Sequence, residues 1–100
     1  MEKKKEVILI VEDEDIARKN LEHILVKSGY DVVSVTNGSK AIDLLQSKDF
    51  DLVITDLKME KVDGMQVLNK AKELQPYTEV IMITDYATIE TSVQAMHDGA

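Results

Sequence analysis

Short unbroken runs of aliphatic residues alternate along this chain with segments of helical period, and that alternation restricts the possible folds more than any other feature. Val7 to Val11 has no polar interruption, and Val53-Ile54 and Val80 to Ile83 behave alike; Val32 to Val35 is the shorter run and is expected nearer a sheet edge. Strands without polar alternation are buried on both faces, the condition of parallel strands joined by crossover helices. Between them, Ala17, Leu21, Ile24, Leu25 and Ser28 fall at i, i+4, i+7, i+8 and i+11, one stripe on a helix that Asp15 can cap and Gly29 can end. A second helix is expected over Gly38 to Ser47, with Ala41, Ile42 and Leu45 inward. A third starts at Gly64, capped by Asp63, and runs to Glu73, before Pro76 forbids continuation. Ile89, Val93 and Met96 mark a fourth, which Gly99 ends. Strand and helix thus alternate four times, and right-handed crossovers make an open α/β sheet, doubly wound and covered on both faces.

With 100 residues, 44% of them hydrophobic, the chain can build one core and no second domain. It has no cysteine, which removes disulfides, thiolate metal sites and thiol nucleophiles together. No apolar run approaches the roughly 20 residues that span a bilayer, and the charged start Met1 to Glu6 leads into a run too short for a signal peptide. A cytoplasmic protein without membrane contact is expected. The net charge of -7 opposes contact with nucleic acid, and the few aromatics, Tyr 3 and Phe 1, are not interleaved with basic residues. Residues 1-100 end just after a helix C-cap, where a doubly wound sheet would continue with another strand and helix, so truncation at the C-terminus is expected.

In such sheets ligands bind beyond the carboxyl ends of the strands. Glu12 and Asp13 follow the first strand, Asp56 ends the third and Thr84 ends the fourth, so three acids and a hydroxyl are expected at one rim. An acid after a strand is often only a helix cap, and Asp13 or Asp15 could serve so. Asp56, however, is followed by Leu-Lys-Met rather than by a helix start. Gathered carboxylates repel and titrate as a coupled set unless a cation joins them. With oxygen ligands and no His or Cys nearby, that cation is a hard one, and a shallow site with free water positions suits Mg²⁺. Mg²⁺ in turn fits phosphoryl chemistry, with the Asp56 carboxylate as nucleophile and Thr84 hydrogen-bonding the product.

Val7-Ile-Leu-Ile-Val-Glu-Asp13, Asp51-Leu-Val-Ile-Thr-Asp56 with Met59 and Asp63-Gly64, and Val80-Ile-Met-Ile-Thr84 followed by Tyr86-Ala87 and Gly99-Ala100 together resemble the CheY-like receiver domain of two-component response regulators over essentially the whole chain. The resemblance implies a flavodoxin-like sheet of strand order 2-1-3-4, with the family's fifth strand and fifth helix absent from this chain. It implies a phosphoacceptor, Asp56, that takes its phosphoryl group from a phosphohistidine of a sensor histidine kinase or histidine phosphotransfer protein. Asp13 and Asp56 would hold Mg²⁺ directly, the Lys58 backbone carbonyl would add an oxygen, and Glu12 would act through water. Thr84 would be the switch hydroxyl that repositions the segment between the fourth strand and fourth helix. Such a domain is regulatory: it assists its own phosphorylation and dephosphorylation and turns over no other substrate. The segment from Tyr86 to Met96 is most similar to receivers joined to AAA+ transcriptional activators, which implies an effector outside this chain.

Glu60 stands where the family usually has Pro and Asp85 where a small residue is usual, so both add negative charge near the phosphate; Tyr86 is placed to screen it from water. The family's lysine on the fifth strand lies beyond residue 100. Two rivals stay open: a degenerate receiver used only for protein association, and a Mg²⁺-dependent nuclease or primase-type domain, which would need an acid where Lys58 stands. A molecule ending at Ala100 is expected to expose the edge of the fourth strand and to dimerise or aggregate through that strand and the fourth helix.

Overall fold

The computed structural model describes residues 5–59, 61–83 and 89–100. Eight elements alternate: β1 (Val7–Val11), α1 (Asp15–Lys27), β2 (Asp31–Val35), α2 (Gly38–Ser47), β3 (Leu52–Asp56), α3 (Gly64–Leu74), β4 (Glu79–Ile83) and α4 (Ile89–His97). The strands form one parallel sheet in the order β2-β1-β3-β4, the doubly wound arrangement expected. β2 does lie at an edge, although Asp31 extends it to the same 5 residues as its neighbours.

Side-chain alternation along the strands sorts the core into two unequal layers. Leu9, Val11 and Val53 face one side, where Ala41, Leu45, Val67, Leu68 and Ala71 from α2 and α3 close over them. Ile8, Ile10 and Ile54 face the other, toward α1. That second layer is thin. Leu21 and Leu25 are only partly buried against it, while Ala17 and Ile24, also part of the expected inward stripe, are exposed. Ala17, Leu21 and Ile24 border a groove of about 450 Å³ whose other wall includes Ile10, Ile54 and Ile83. Along the part of the fourth helix whose side chains are described, residues 93–97, the expected face is not the buried one: Val93 and Met96 are 53% and 73% exposed and Ala95 is buried, while Ile89 lies outside the described side chains. Large side chains at helical spacing identified an apolar face there, but the helix turns a small residue inward.

Helix entries are fastened in different ways. Asn37 Oδ1 accepts from the Lys40 amide at 2.9 Å to cap α2, and Asp63 and Gln66 form a reciprocal capping box on α3, both bonds at 3.0 Å. The N-cap of α1 is Glu14, without a side-chain cap bond. Asp15, expected as that cap, lies inside the first turn and binds Arg18 instead. Gly29 does end the helix, at φ 98°, a conformation that glycine adopts without a steric penalty.

At the pole of the sheet where β3 begins, the Gln75 side chain joins three segments. Its Nε2 donates to the carbonyls of Leu45 and Lys48 at 2.8 and 2.6 Å, and its Oε1 accepts from the Phe50 amide at 3.0 Å. Buried Thr78 donates to the Phe50 carbonyl at 2.6 Å. Gln75→Ala strands an amide and a carbonyl in partly buried positions, and thermal or urea unfolding should show a loss of about 2 kcal/mol. Lys61 sits at φ 63°, the left-handed region that disfavours side chains. Lys61→Gly should therefore raise stability by about 0.5 to 1 kcal/mol, the relief of strain outweighing the added freedom of the unfolded chain; a lower unfolding midpoint would contradict this.

Candidate functional site

Strand register brings the acids together. Val11 pairs with Thr55, so the residues that follow them, Glu12 and Asp56, emerge side by side at the carboxyl rim. The ladder reaches one step further on each side: the Glu12 amide donates to the Val35 carbonyl at 3.1 Å and the Leu57 amide to the Ile83 carbonyl at 3.3 Å. Alternation also decides direction. Glu12 has the parity of Ile8 and Ile10, and Asp56 that of Ile54, so both belong to the α1 side and both line the groove there. Asp13 follows one residue on. One carboxylate oxygen from each of Glu12, Asp13 and Asp56 lies within 4.8 Å of the others.

Burial differs across the three: Asp13 is exposed, Glu12 and Asp56 are half-buried. Oε2 of Glu12 is buried without a hydrogen-bond partner. Its carboxyl is raised to about 7, first because burial disfavours the charged form, then because it shares a hydrogen bond with Asp56, and last because the charges of Asp56, Asp13 and Glu14 face it. The Lys58 amide donates to Asp56 Oδ1 at 3.3 Å. Glu60, Thr84, Asp85 and Tyr86, expected to act here, lie outside the described residues.

The remaining geometry fixes the loops that present these groups. Gly64 is pressed onto the backbone of Asp56 and Leu57: its amide donates to the Leu57 carbonyl at 2.8 Å, and a Cβ there would stand 2.2 Å from the Asp56 carbonyl oxygen. Gly38 is close in the same way to Val62, where a Cβ would meet the carbonyl oxygen at 2.5 Å. Thr55 Oγ1 donates to the Asp56 carbonyl at 3.1 Å. On the opposite loop, Arg18 Nη1 donates to the Glu12 carbonyl at 3.1 Å and Nη2 to Asp15 Oδ1 at 2.6 Å, and that hydrogen bond and then the guanidinium charge hold the Asp15 carboxyl below the usual range. Sequence reasoning found the three acids and overlooked Arg18 and the close approach of Gly64. The available signal for Arg18 was its spacing of three from Asp15; for Gly64, its position directly after a cap.

An oxygen donor set of three carboxylates, with one buried oxygen unpartnered, fits a hard divalent cation such as Mg²⁺. A cation there would favour the charged form that burial, first, and the neighbouring carboxylates disfavour at Glu12, and would satisfy the orphaned oxygen.

Residues 8–100 match the family model of the response regulator receiver domain. The transcriptional regulatory protein ZraR of Klebsiella oxytoca is 33% identical over 96 residues, which is 95% of this chain and 22% of that protein, so the chain spans about a fifth of the relative's length. Among solved structures, a CheY-like receiver domain protein from Methanospirillum hungatei JF-1 superposes with a TM-score of 0.93 at 31% identity, over 97% of this chain and 78% of the other. A response regulator protein from Burkholderia pseudomallei, crystallised with a phosphorylated aspartic acid, calcium ion and citrate, superposes with a TM-score of 0.89 at 29% identity, over 96% of this chain and 56% of the other. A parallel sheet in the order β2-β1-β3-β4, an acidic rim at its carboxyl end and a family match from Ile8 to Ala100 agree, and this chain belongs to the response regulator receiver domain family.

Proposed function

We propose that the chain is a phosphoacceptor switch in which Asp56 receives a phosphoryl group from a phosphohistidine of a sensor histidine kinase or histidine phosphotransfer protein, with Mg²⁺ as cofactor. The observation that carries this reading is the convergence of Glu12, Asp13 and Asp56 within 4.8 Å, with a buried Glu12 oxygen left unpartnered. The phosphorylated aspartic acid and calcium ion of the Burkholderia pseudomallei protein support it by analogy.

In this scheme a carboxylate oxygen of Asp56 attacks phosphorus as the bond from phosphorus to the donor imidazole nitrogen breaks, and the electron pair leaves with that nitrogen. The product is an acyl phosphate on Asp56. Asp13 and Asp56 would bind the ion directly, the Lys58 carbonyl would add a ligand and Glu12 would act through water. When bound, Mg²⁺ offsets charge on the transferring phosphoryl oxygens. The Lys58 amide on Oδ1 fixes the orientation of Asp56, and Gly64 fixes the peptide that carries it. Thr84 would hydrogen-bond the phosphate and reposition the segment between β4 and α4, with Glu60, Asp85 and Tyr86 modulating its lifetime. The domain regulates and turns over no other substrate; its output would be an effector of the AAA+ activator type, and its place of action the cytoplasm. No helix among the described residues is long and apolar enough to cross a membrane. The nuclease or primase-type reading has no support in the family match.

Intact mass after treatment with a small phosphodonor tests the assignment. The wild-type protein should gain one phosphoryl group only with Mg²⁺ present, and Asp56→Asn, which keeps shape and loses the nucleophile, should gain none. Continued single-site labelling of that variant would remove Asp56 from its role; an unlabelled wild type would leave an association-only receiver.

The elevated Glu12 carboxyl also gives a pH dependence in the absence of metal. Between the unfolded value near 4.5 and the folded value of about 7, the native state holds a proton that the unfolded chain has lost, so stability falls as pH rises through this window and levels off above it. Relative to Glu12→Gln, the metal-free wild type should be equally stable near pH 4 and less stable at pH 7.5 by about 1 to 2 kcal/mol, allowing for solvent screening of a half-buried group. Urea titrations of both proteins at the two pH values check this, and saturating Mg²⁺ should narrow the gap at the higher one.

A further inference from the structure

We propose that Arg18 is a positioning residue of the acidic site, holding the loop between β1 and α1 in the shape that presents Glu12 and Asp13 to Asp56; this rests on the reading of that site as a metal-dependent phosphoacceptor. Three helices have a described N-cap, and α1 alone among them lacks a side-chain cap bond, although its entry loop presents two of the three acids. Arg18 reaches back over that loop. Its guanidinium donates to the Glu12 carbonyl through Nη1 and to Asp15 Oδ1 through Nη2, and its side chain is 11% exposed, folded against the loop. The Glu12 peptide is thereby held on both sides, its amide by the Val35 carbonyl of β2 and its carbonyl by Arg18. Asp13 lies on the short span between the two acceptors that the same planar group grips. A fork of fixed geometry sets the separation of those acceptors, which an ammonium cannot do.

An ordinary pair of Asp15 and Arg18 along an exposed helix turn would add only a few tenths of a kcal/mol of helix stability and would not involve the Glu12 backbone. The two roles separate on the metal dependence. In the intact protein, the Mg²⁺ concentration that half-saturates labelling of Asp56 by a small phosphodonor should rise about tenfold in Arg18→Ala, the usual scale for loss of a group that orients metal ligands. The rate at saturating Mg²⁺ should stay within about twofold of wild type, because neither the nucleophile nor a ligand is removed. Arg18→Lys should fall between the two proteins. A helix-stability role alone would lower the labelled fraction and leave the midpoint in place, so an unchanged midpoint in Arg18→Ala overturns the proposal. If the wild type shows no Mg²⁺-dependent labelling, the phosphoacceptor reading has failed, and amide exchange decides the loop's dependence on Arg18. Faster exchange in Arg18→Ala over residues 12–16, with residues 64–74 unaltered, supports the clamp; equal exchange in both segments overturns it.

Discussion

Glu12, Asp13 and Asp56 are held with carboxylate oxygens within 4.8 Å of one another, and like charges at that separation repel by roughly 3 kcal/mol per pair at an effective dielectric near 20. Side chains on a free loop would swing apart. Here the pairing of Val11 with Thr55 places Glu12 and Asp56 on adjacent strands at the same height, so the backbones that carry them stay close. The proximity is therefore built into the backbone, and one Glu12 oxygen is left buried without a partner. A proton or a divalent cation relieves the repulsion, and the two compete for the same oxygens.

The remainder of the molecule is arranged to hold that geometry. The side of the sheet facing α2 and α3 is densely packed, with Leu9, Val11, Val53, Val67 and Leu68 essentially inaccessible to solvent. α3 is then fastened directly to the site, since the approach of Gly64 to Asp56 and Leu57 leaves no room for a side chain between helix and loop. The capping box of Asp63 and Gln66 secures the same turn from the helix side. Gln75, at the other end of α3, ties it to the end of α2 and the start of β3. One helix thus connects the two poles of the sheet, and displacement at either end is resisted at the other.

Much of this was legible in the residues themselves. Unbroken runs such as Val7 to Val11 marked the strands, Asp63 before Gly64 marked an entry, and the position of Glu12, Asp13 and Asp56 after apolar runs marked the rim. These signals are local, and local chemistry determines them. What was illegible depends on partners distant in sequence. Ile24, Val93 and Met96 fall on the apolar stripes of their helices and are nevertheless exposed, because periodicity does not specify which residues of a stripe find partners. Asp15 reads equally as a cap or as a helix residue until Arg18 is seen to take its carboxylate. Gly64 reads as a flexible residue after a cap, whereas its function is to permit contact with a backbone eight positions earlier.

Why the acids lie on the thin side of the sheet follows from the same alternation. Successive residues of β3 point to opposite faces, so Val53 enters the dense layer while Ile54 and Asp56 face α1. A slip of β3 by one residue would turn Asp56 into the packed side. A carboxylate buried there without water or a cation would cost several kcal/mol. On the α1 side the layer is incomplete, Glu12 and Asp56 border an open groove, and Asp56 stays half-exposed. Dense packing on one face holds the strand in register, and sparse packing on the other leaves its last residue open to the groove.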